Sequence, residues 1–444
     1  MTKRLVKAGF CLRAGLWLAV AAGLLYNPAQ AMDGPSWFWH RKADKNAPLP
    51  QPTVTSSQPP AFSIPVEPLG FFPPGALYAG QRESFVSLDF LDENRLLFTF
   101  RTPGLIRRTG PGDDERQIRA VVLALPKGTV ETEALWTLHD RARYLWMLGD
   151  GHFLLRDRDN LEQGDGTLEL KPLLHFPGPL QWLEMDPAQQ FLVTDSEEPK
   201  AAAHRPGEVP SPATAAANIS EDNQAGAAEA DIVLRILHRI SGQVMLVSRV
   251  RTTVHLPVNS DGYLEALRGS GRDWMLNLSY FSGGSKILGK VESDCSPALQ
   301  FISQKEALAT TCDLAGGRMV VALSTEGHRL WQTGSPPTQI LPMLVMAPDG
   351  SRLARETVTV DHPVNAFSPL SPEDMKGQVV EVFDAAGGKL ALKASASPVL
   401  DGGGNVAISP SGKRVAVLDA GAIQVYELSA PSAQTKPDSG HSAH

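Results

Sequence analysis

The stretch MAPDGSRLA, from Met346 to Ala354, is answered by ISPSGKRVA, from Ile408 to Ala416. Each reads apolar, small, proline, turn residue, glycine, polar, basic, apolar, alanine, which is the pattern of a strand, a tight turn and a returning strand. The same construction recurs from Ser84 onward in FVSLDFLDENRLLFTF, YLWMLGDGHFLLRD, LQWLEMDPAQQFLVTD, VHLPVNSDGYLEAL and LQFISQKEALATTC, giving seven hairpins in all. Asp150-Gly151, Asp261-Gly262, Asp349-Gly350 and Ser411-Gly412 are expected to supply the positive backbone angles that tight turns require and glycine adopts cheaply.

Between most of these hairpins lies a second kind, a strand, a glycine turn and another strand. Examples are RAVVLALPKGTVETEALWTL, IVLRILHRISGQVMLVSRV, WMLNLSYFSGGSKILGKV, RMVVALSTEGHRLWQT and VVEVFDAAGGKLALKA. Two hairpins make a four-stranded unit, and turns near Ser260, Gln304 and Asp349 are about 45 residues apart, the period of a propeller blade. No long segment keeps the 3.6-residue apolar period that crossover helices need, and about 28 strands are too many for one sandwich. The expected fold is therefore all-β, a seven-bladed β-propeller of four-stranded antiparallel blades. The last unit has only three strands, ending in GAIQVYELSA, so a strand between Phe62 and Ser84 is expected to close the ring and cover its open edge.

The remaining segments frame that body. Lys3, Arg4 and Lys7 precede an apolar run from Ala14 to Tyr26 that ends in Ala29-Gln30-Ala31, a secretory signal with cleavage between Ala31 and Met32. The run is shorter than the roughly 20 apolar residues of a spanning helix, so no transmembrane anchor is expected after processing. Residues 32–61 are proline-rich and read as a linker or arm, whose Trp37, Phe38 and Trp39 are expected to pack on the protein itself. The propeller is assigned to 62–429. Within it 196–230 has almost no large apolar residues and reads as a disordered insertion, and 362–377 as a loop insertion. Residues 430–444 read as a disordered tail.

Built this way, the chain resembles the seven-bladed propellers of the WD-repeat-like and YVTN type and, more loosely, the propeller of the periplasmic TolB family. The resemblance covers roughly Ser84 to Ser429. WD repeats set Gly-His before the blade and Trp-Asp near its third strand, whereas GHRLW, Gly327 to Trp331, holds His and Trp within one hairpin.

Chemistry is sparse by comparison. There is no G-x-S-x-G elbow, and GSGRDW and DGGGN lack the spacing of phosphate-binding loops and read as turns. The histidines are scattered from His40 to His444 without an HxxxH or HExxH pair, so no metal site is expected. The runs Asp113-Asp114-Glu115 and Glu197-Glu198 read as solvated loops rather than as an acid and base pair. STEGHRLWQTG and DAAGGKLAL are similar to the outer-blade phrase of quinoprotein propellers, but neither a repeated tryptophan-docking phrase nor a cluster of calcium ligands accompanies them. No cofactor is expected.

Removing residues 1–31 takes away Lys3, Arg4, Lys7 and Arg13 and no acidic residue, so the formal charge moves from -7 to -11. Such an acidic chain lacks the basic footprint of a nucleic-acid binder. Two cysteines remain, Cys295 and Cys312, nearly equidistant from the turn around Ser303 and Gln304. Folding that hairpin brings them side by side, which predicts a structural disulfide in an oxidising compartment, stabilising by on the order of 3 kcal/mol. The functional expectation is a secreted or periplasmic monomer without catalytic residues, binding another protein or an envelope component through its propeller faces. The alternative is a hydrolase, lyase or quinoprotein-like propeller enzyme with its site at the central channel.

Overall fold

A computed structural model describes residues 56–73, 86–103, 107–110, 113–139, 142–199, 230–365 and 370–430. The signal segment with Ala31 and Met32, the aromatic run at Trp37 to Trp39, and the tail beyond residue 430 lie outside the described residues. The fold is a seven-bladed β-propeller. Blade 1 is built on Val86–Asp92, Arg95–Arg101, Asp113–Ala124 and Thr129–Leu138, and blade 2 on Leu145–Gly149, His152–Asp157, Asn160–Gly164 and Lys171–His175. Blade 3 uses Leu180–Met185, Phe191–Pro199, Ala230–His238 and Val244–Val250; blade 5 uses Ala298–Ser303, Glu306–Thr310, Arg318–Ser324 and Arg329–Ser335. In blade 6 Leu344–Met346 is followed by Arg352–Val360, Met375–Asp384 and Leu390–Ala396, with Gln339–Ile340 added at one edge.

Blade 4 departs from the regular plan. Gly262–Arg268, Asp273–Tyr280 and Ser285–Glu292 form a three-stranded sheet, and the segment before them joins it through one bridge, Val258 to Tyr263. Pro257 has no N–H to give a ladder, and the Val254 N–H is taken by Asp195 of blade 3 at 2.7 Å. The innermost element of this blade is thus held to its neighbour as much as to its own sheet.

Blade 7 closes the ring as the sequence implied. Val406–Ile408, Arg414–Asp419 and Ala422–Glu427 are completed by Phe62–Pro65, which runs antiparallel with Phe62 opposite Val425 and Pro65 opposite Ala422. The contact extends beyond the strand. Ser57 exchanges hydrogen bonds with Lys393 of blade 6, and Val66 N donates to the Gly421 carbonyl at 3.0 Å. Phe71 then packs edge-on against Phe98 and Phe100 of blade 1, with ring centroids 5.5 Å apart in both pairs.

The core is divided into wedges between adjacent blades, where the apolar faces of neighbouring sheets meet. Leu88, Phe98, Ala416 and Val425 pack blade 7 against blade 1, and Leu97, Trp136, Phe153 and Leu155 pack blade 1 against blade 2. Equivalent clusters lie at each following boundary around the ring. Burial of this kind gains roughly 25 cal/mol per Å² of apolar surface, and it makes the blades mutually dependent.

The recurring hairpin turns gather at one end of the ring and are laced together. Gly151 N donates to Leu91 O, Asp349 N to Pro410 O, and Ser411 N to a Glu93 carboxylate oxygen, joining blades 1 and 2, 6 and 7, and 7 and 1. Gln304 links three turns, accepting from Ser260 N at 2.7 Å and donating to Asp186 at 3.0 Å. Gly151, Gly350 and Gly412 hold positive φ of 77°, 72° and 66° as expected. Gly262 does not; it is required because a Cβ there would lie 1.9 Å from the Ser279 carbonyl oxygen.

Several boundaries differ from those read in the sequence. Blade 3's second strand continues through Ser196 to Pro199, paired with Ala230 to Val233, so these residues belong to the sheet and only 200–229 lie outside the described part. Ladder pairing and the Glu198–Arg235 contact at 2.6 Å extend the strand into the acidic run. Asp113, Asp114 and Glu115 likewise begin a long strand, opposite Gly110, Arg108 and Arg107, rather than sitting in a loop. Met375 to Gly377 pair with Val360 and Thr359, which shortens the loop insertion.

Candidate functional site

The inner strands enclose a central chamber of about 1200 Å³. Its wall is divided chemically. Blades 1 to 4 contribute Asp89, Arg143, Trp146, Trp182, Glu184 and His255, while blade 6 contributes the half-buried Pro342, Met343, Leu344, Val345 and Met346.

Strand alternation places the first charged groups. In Val86–Asp92 the residues Val86, Leu88 and Phe90 enter the cluster shared with blade 7, which turns Ser87 and Asp89 the other way, toward blade 2. Asp89 accepts a short hydrogen bond from Ser87 Oγ. Burial raises the Asp89 carboxyl above its ordinary range, against the opposing effects of Ser87 and Arg143.

Arg143 stands at the entry to blade 2. Its Nε donates to the Leu145 carbonyl at 3.0 Å, and its guanidinium lies 5.2 Å from the centre of the Trp146 ring, with Arg156 5.7 Å from the same ring. Arg143 is exposed to the chamber, but the surrounding protein desolvates it and lowers its pKa, while Asp89 and Glu184 act in the opposite sense.

Blade 3 supplies Trp182 and Glu184 from one face of Leu180–Met185. Burial pushes Glu184 up to about 7, opposed by the Trp182 side chain and by Arg143. Among the described residues the sheltered indole N–H closes no hydrogen bond at normal length, so its effect on Glu184 is that of a nearby dipole. His255, from the irregular inner segment of blade 4, stacks on Trp182 with ring centroids 3.8 Å apart. His255 is exposed to the chamber, yet the protein packed around it desolvates the ring and lowers its pKa, which favours the neutral imidazole. Together these groups can offer a hydrogen-bonding acid, a neutral imidazole, a guanidinium and a flat aromatic surface to one ligand.

Of the residues singled out in the sequence, Cys295 and Cys312 are brought together as a disulfide, with Cα atoms 5.9 Å apart. The bond links the open ends of the inner hairpin of blade 5. GSGRDW forms the turn between two strands of blade 4. DGGGN does more than turn. Its Asn405 N donates to the buried Glu356 carboxylate at 3.0 Å, and Gly404 lies so close to Val86 that a Cβ would be 2.2 Å from the Val86 carbonyl oxygen. Among the described residues, Asp361, His362 and Asp374 form a cluster with metal-ligand spacing. It is already engaged internally, since Lys376 Nζ sits 2.9 Å from Asp361 and Ser371 donates twice to Asp374.

No short sequence motif contains the chamber residues. The available signal was the carboxylates inside apolar inner strands, in VSLDFLD and LQWLEM.

No family model matches the sequence, and no curated protein matches it. Among solved structures it is similar to the Pyrococcus horikoshii acylaminoacyl peptidase in its uncomplexed form, with 11% identity over 79% of this chain and a TM-score of 0.44. The chain spans about half the length of that peptidase, covering 52% of it. TolB from Acinetobacter baumannii matches 74% of this chain and 79% of its own at 12% identity, TM-score 0.36. A chain of a mitotic checkpoint complex matches 65% of this chain and 90% of its own at 8% identity, TM-score 0.31.

Proposed function

We propose that the chain is an exported, non-enzymatic binding propeller that holds a segment of a partner protein, or an envelope component, in its central chamber. The observation that carries this reading is the chamber itself. Its volume of about 1200 Å³ exceeds the roughly 300–1,000 Å³ of ordinary small-ligand sites, and it opposes a polar and aromatic wall to an apolar one. The disulfide fits an oxidising compartment. Native mass spectrometry of the processed protein, purified from its own cell envelope, tests the reading. A co-purifying mass should be present with the parent and absent with Met343→Asp and Trp182→Ala; the same mass retained by both variants sinks the chamber as the binding site.

A second reading has a specific observation behind it. Glu184 titrates near neutrality in the chamber that also holds Asp89 and the neutral His255, a set suited to proton transfer. An enzyme of this kind would turn over a panel of peptide or ester substrates and lose that turnover in Glu184→Gln with binding retained.

A further inference from the structure

Arg143 stands in the chamber with an incomplete set of partners. The Leu145 carbonyl takes its Nε–H, and its guanidinium lies 5.2 Å from the centre of the Trp146 ring. Among the described residues, none bonds to its two terminal nitrogens. Asp89 and Glu184 act on it through space without closing an ion pair. A guanidinium held this way presents parallel N–H groups in one plane, the arrangement that matches the two oxygens of a carboxylate. Across the chamber, the half-buried Met343, Leu344 and Val345 of blade 6 have apolar surface that nothing in the described residues fully covers.

We propose that Arg143 anchors a carboxylate carried on an apolar body, with that body lying against Met343, Leu344 and Val345. This inference rests on the chamber reading above and names the chemistry that the chamber selects. Asp89 and Glu184 do not defeat it, because burial raises both, and each takes up a proton more readily than an exposed carboxyl when a negative charge arrives. Arg156 shares the Trp146 ring with Arg143, His255 stacks on Trp182, and Asp186, Glu265, Arg268, Asp294 and Arg318 line the same chamber. A doubly charged phosphate would meet two carboxyl groups with one guanidinium, so a monoanion suits the site better.

The carboxylate has two possible sources, a free apolar acid or the C-terminus of a partner chain. Isothermal titration of the processed protein distinguishes them with four probes: octanoate, octanamide, and a short leucine-rich peptide ending in a free carboxylate or in an amide. An acid should bind at least about tenfold tighter than its amide, a difference suited to a charge-assisted fork. Arg143→Gln should lose that preference, and Arg143→Lys, which retains the charge without the fork, should recover part of it. Thermal melts of the variants establish that they are folded. Octanoate bound in preference to the acid peptide identifies a free acid, and the reverse order a chain terminus. Acids and amides binding equally, or Arg143→Gln binding as the parent does, overturns the inference while leaving the chamber reading intact. Silence from all four probes also overturns it, and the co-purification result with Met343→Asp then decides the chamber reading separately.

Discussion

The rings of Trp182 and His255 stack across the boundary between blades 3 and 4, with planes only 13° from parallel. The contact depends on Asp195, which lies opposite Trp182 in its own sheet and accepts the Val254 N–H beside His255. One buried carboxyl thus fixes the register of an inner segment that its own blade holds by a single bridge. Asp195→Ala takes the acceptor from a half-buried N–H, a loss of about 1 kcal/mol. Urea denaturation should show that loss, and an unchanged midpoint would mean that the segment is held by the stack and the bridge alone.

Glu356 makes stability depend on pH. A glutamate in the unfolded chain titrates near 4.5, whereas burial pushes the native group up to about 8, despite backbone N–H groups that favour its charge. Between those values the native state holds a proton that the unfolded state has released. Its contribution is therefore full below pH 4.5 and is lost as pH rises toward 8, at up to about 1.4 kcal/mol per pH unit. Asp195, raised to about 7 by burial, adds a loss of the same sign at the lower end of the window. Melting temperature should fall from pH 5 to pH 8 in the parent and fall less steeply in Glu356→Gln; superimposable profiles would contradict this assignment.

The fold was legible because its signal is repeated. Each inner hairpin spells the same strand, turn and strand, and the missing strand of the last blade could be assigned to the segment that begins at Phe62. Boundaries were less legible, since Ser196 to Pro199 and Asp113 to Glu115 have the composition of loops but are held in sheets by ladder pairing, with Arg235 also on Glu198. The chamber was least legible. Asp89, Arg143, Glu184 and His255 are separated by long stretches of sequence, and ring closure alone makes them neighbours. Glu356 illustrates the same point, because two of its backbone donors, Gly404 and Asn405, belong to DGGGN, which by itself reads only as a turn.

The Cys295–Cys312 bond closes a hairpin of 17 residues' separation at the chamber wall. In the chain-entropy account, its loss costs about 3 kcal/mol. Reduction with dithiothreitol, or the double variant Cys295→Ser with Cys312→Ser, should lower the urea midpoint without unfolding the ring at 25 °C. Seven interblade clusters remain to hold it, and only one hairpin gains freedom. Equal stability of the reduced and oxidised forms would show that Ser293, whose hydroxyl donates to the Cys312 carbonyl and accepts from the Cys312 N–H, already fixes the hairpin.

Closure by Phe62–Pro65 should matter more than any single side chain, because the strand covers an edge and joins three blades at once. Ile64 is buried at 3% exposure and lies against Gly128 of blade 1, while its strand pairs with blade 7 and the preceding Ser57 bonds to blade 6. Ile64→Ala should cost about 2–5 kcal/mol, the range for deleting a buried aliphatic side chain. A chain starting at residue 67 would lose the strand entirely and expose the backbone of Ala422–Glu427, an unpaired edge that invites association between molecules. Size-exclusion chromatography and thermal melts of that shortened chain should reveal aggregation and a lower melting temperature, with Ile64→Ala intermediate. If the shortened chain instead melts like the parent and runs as the same species, the ring is held by the wedges between its blades and the strand is an accessory to them.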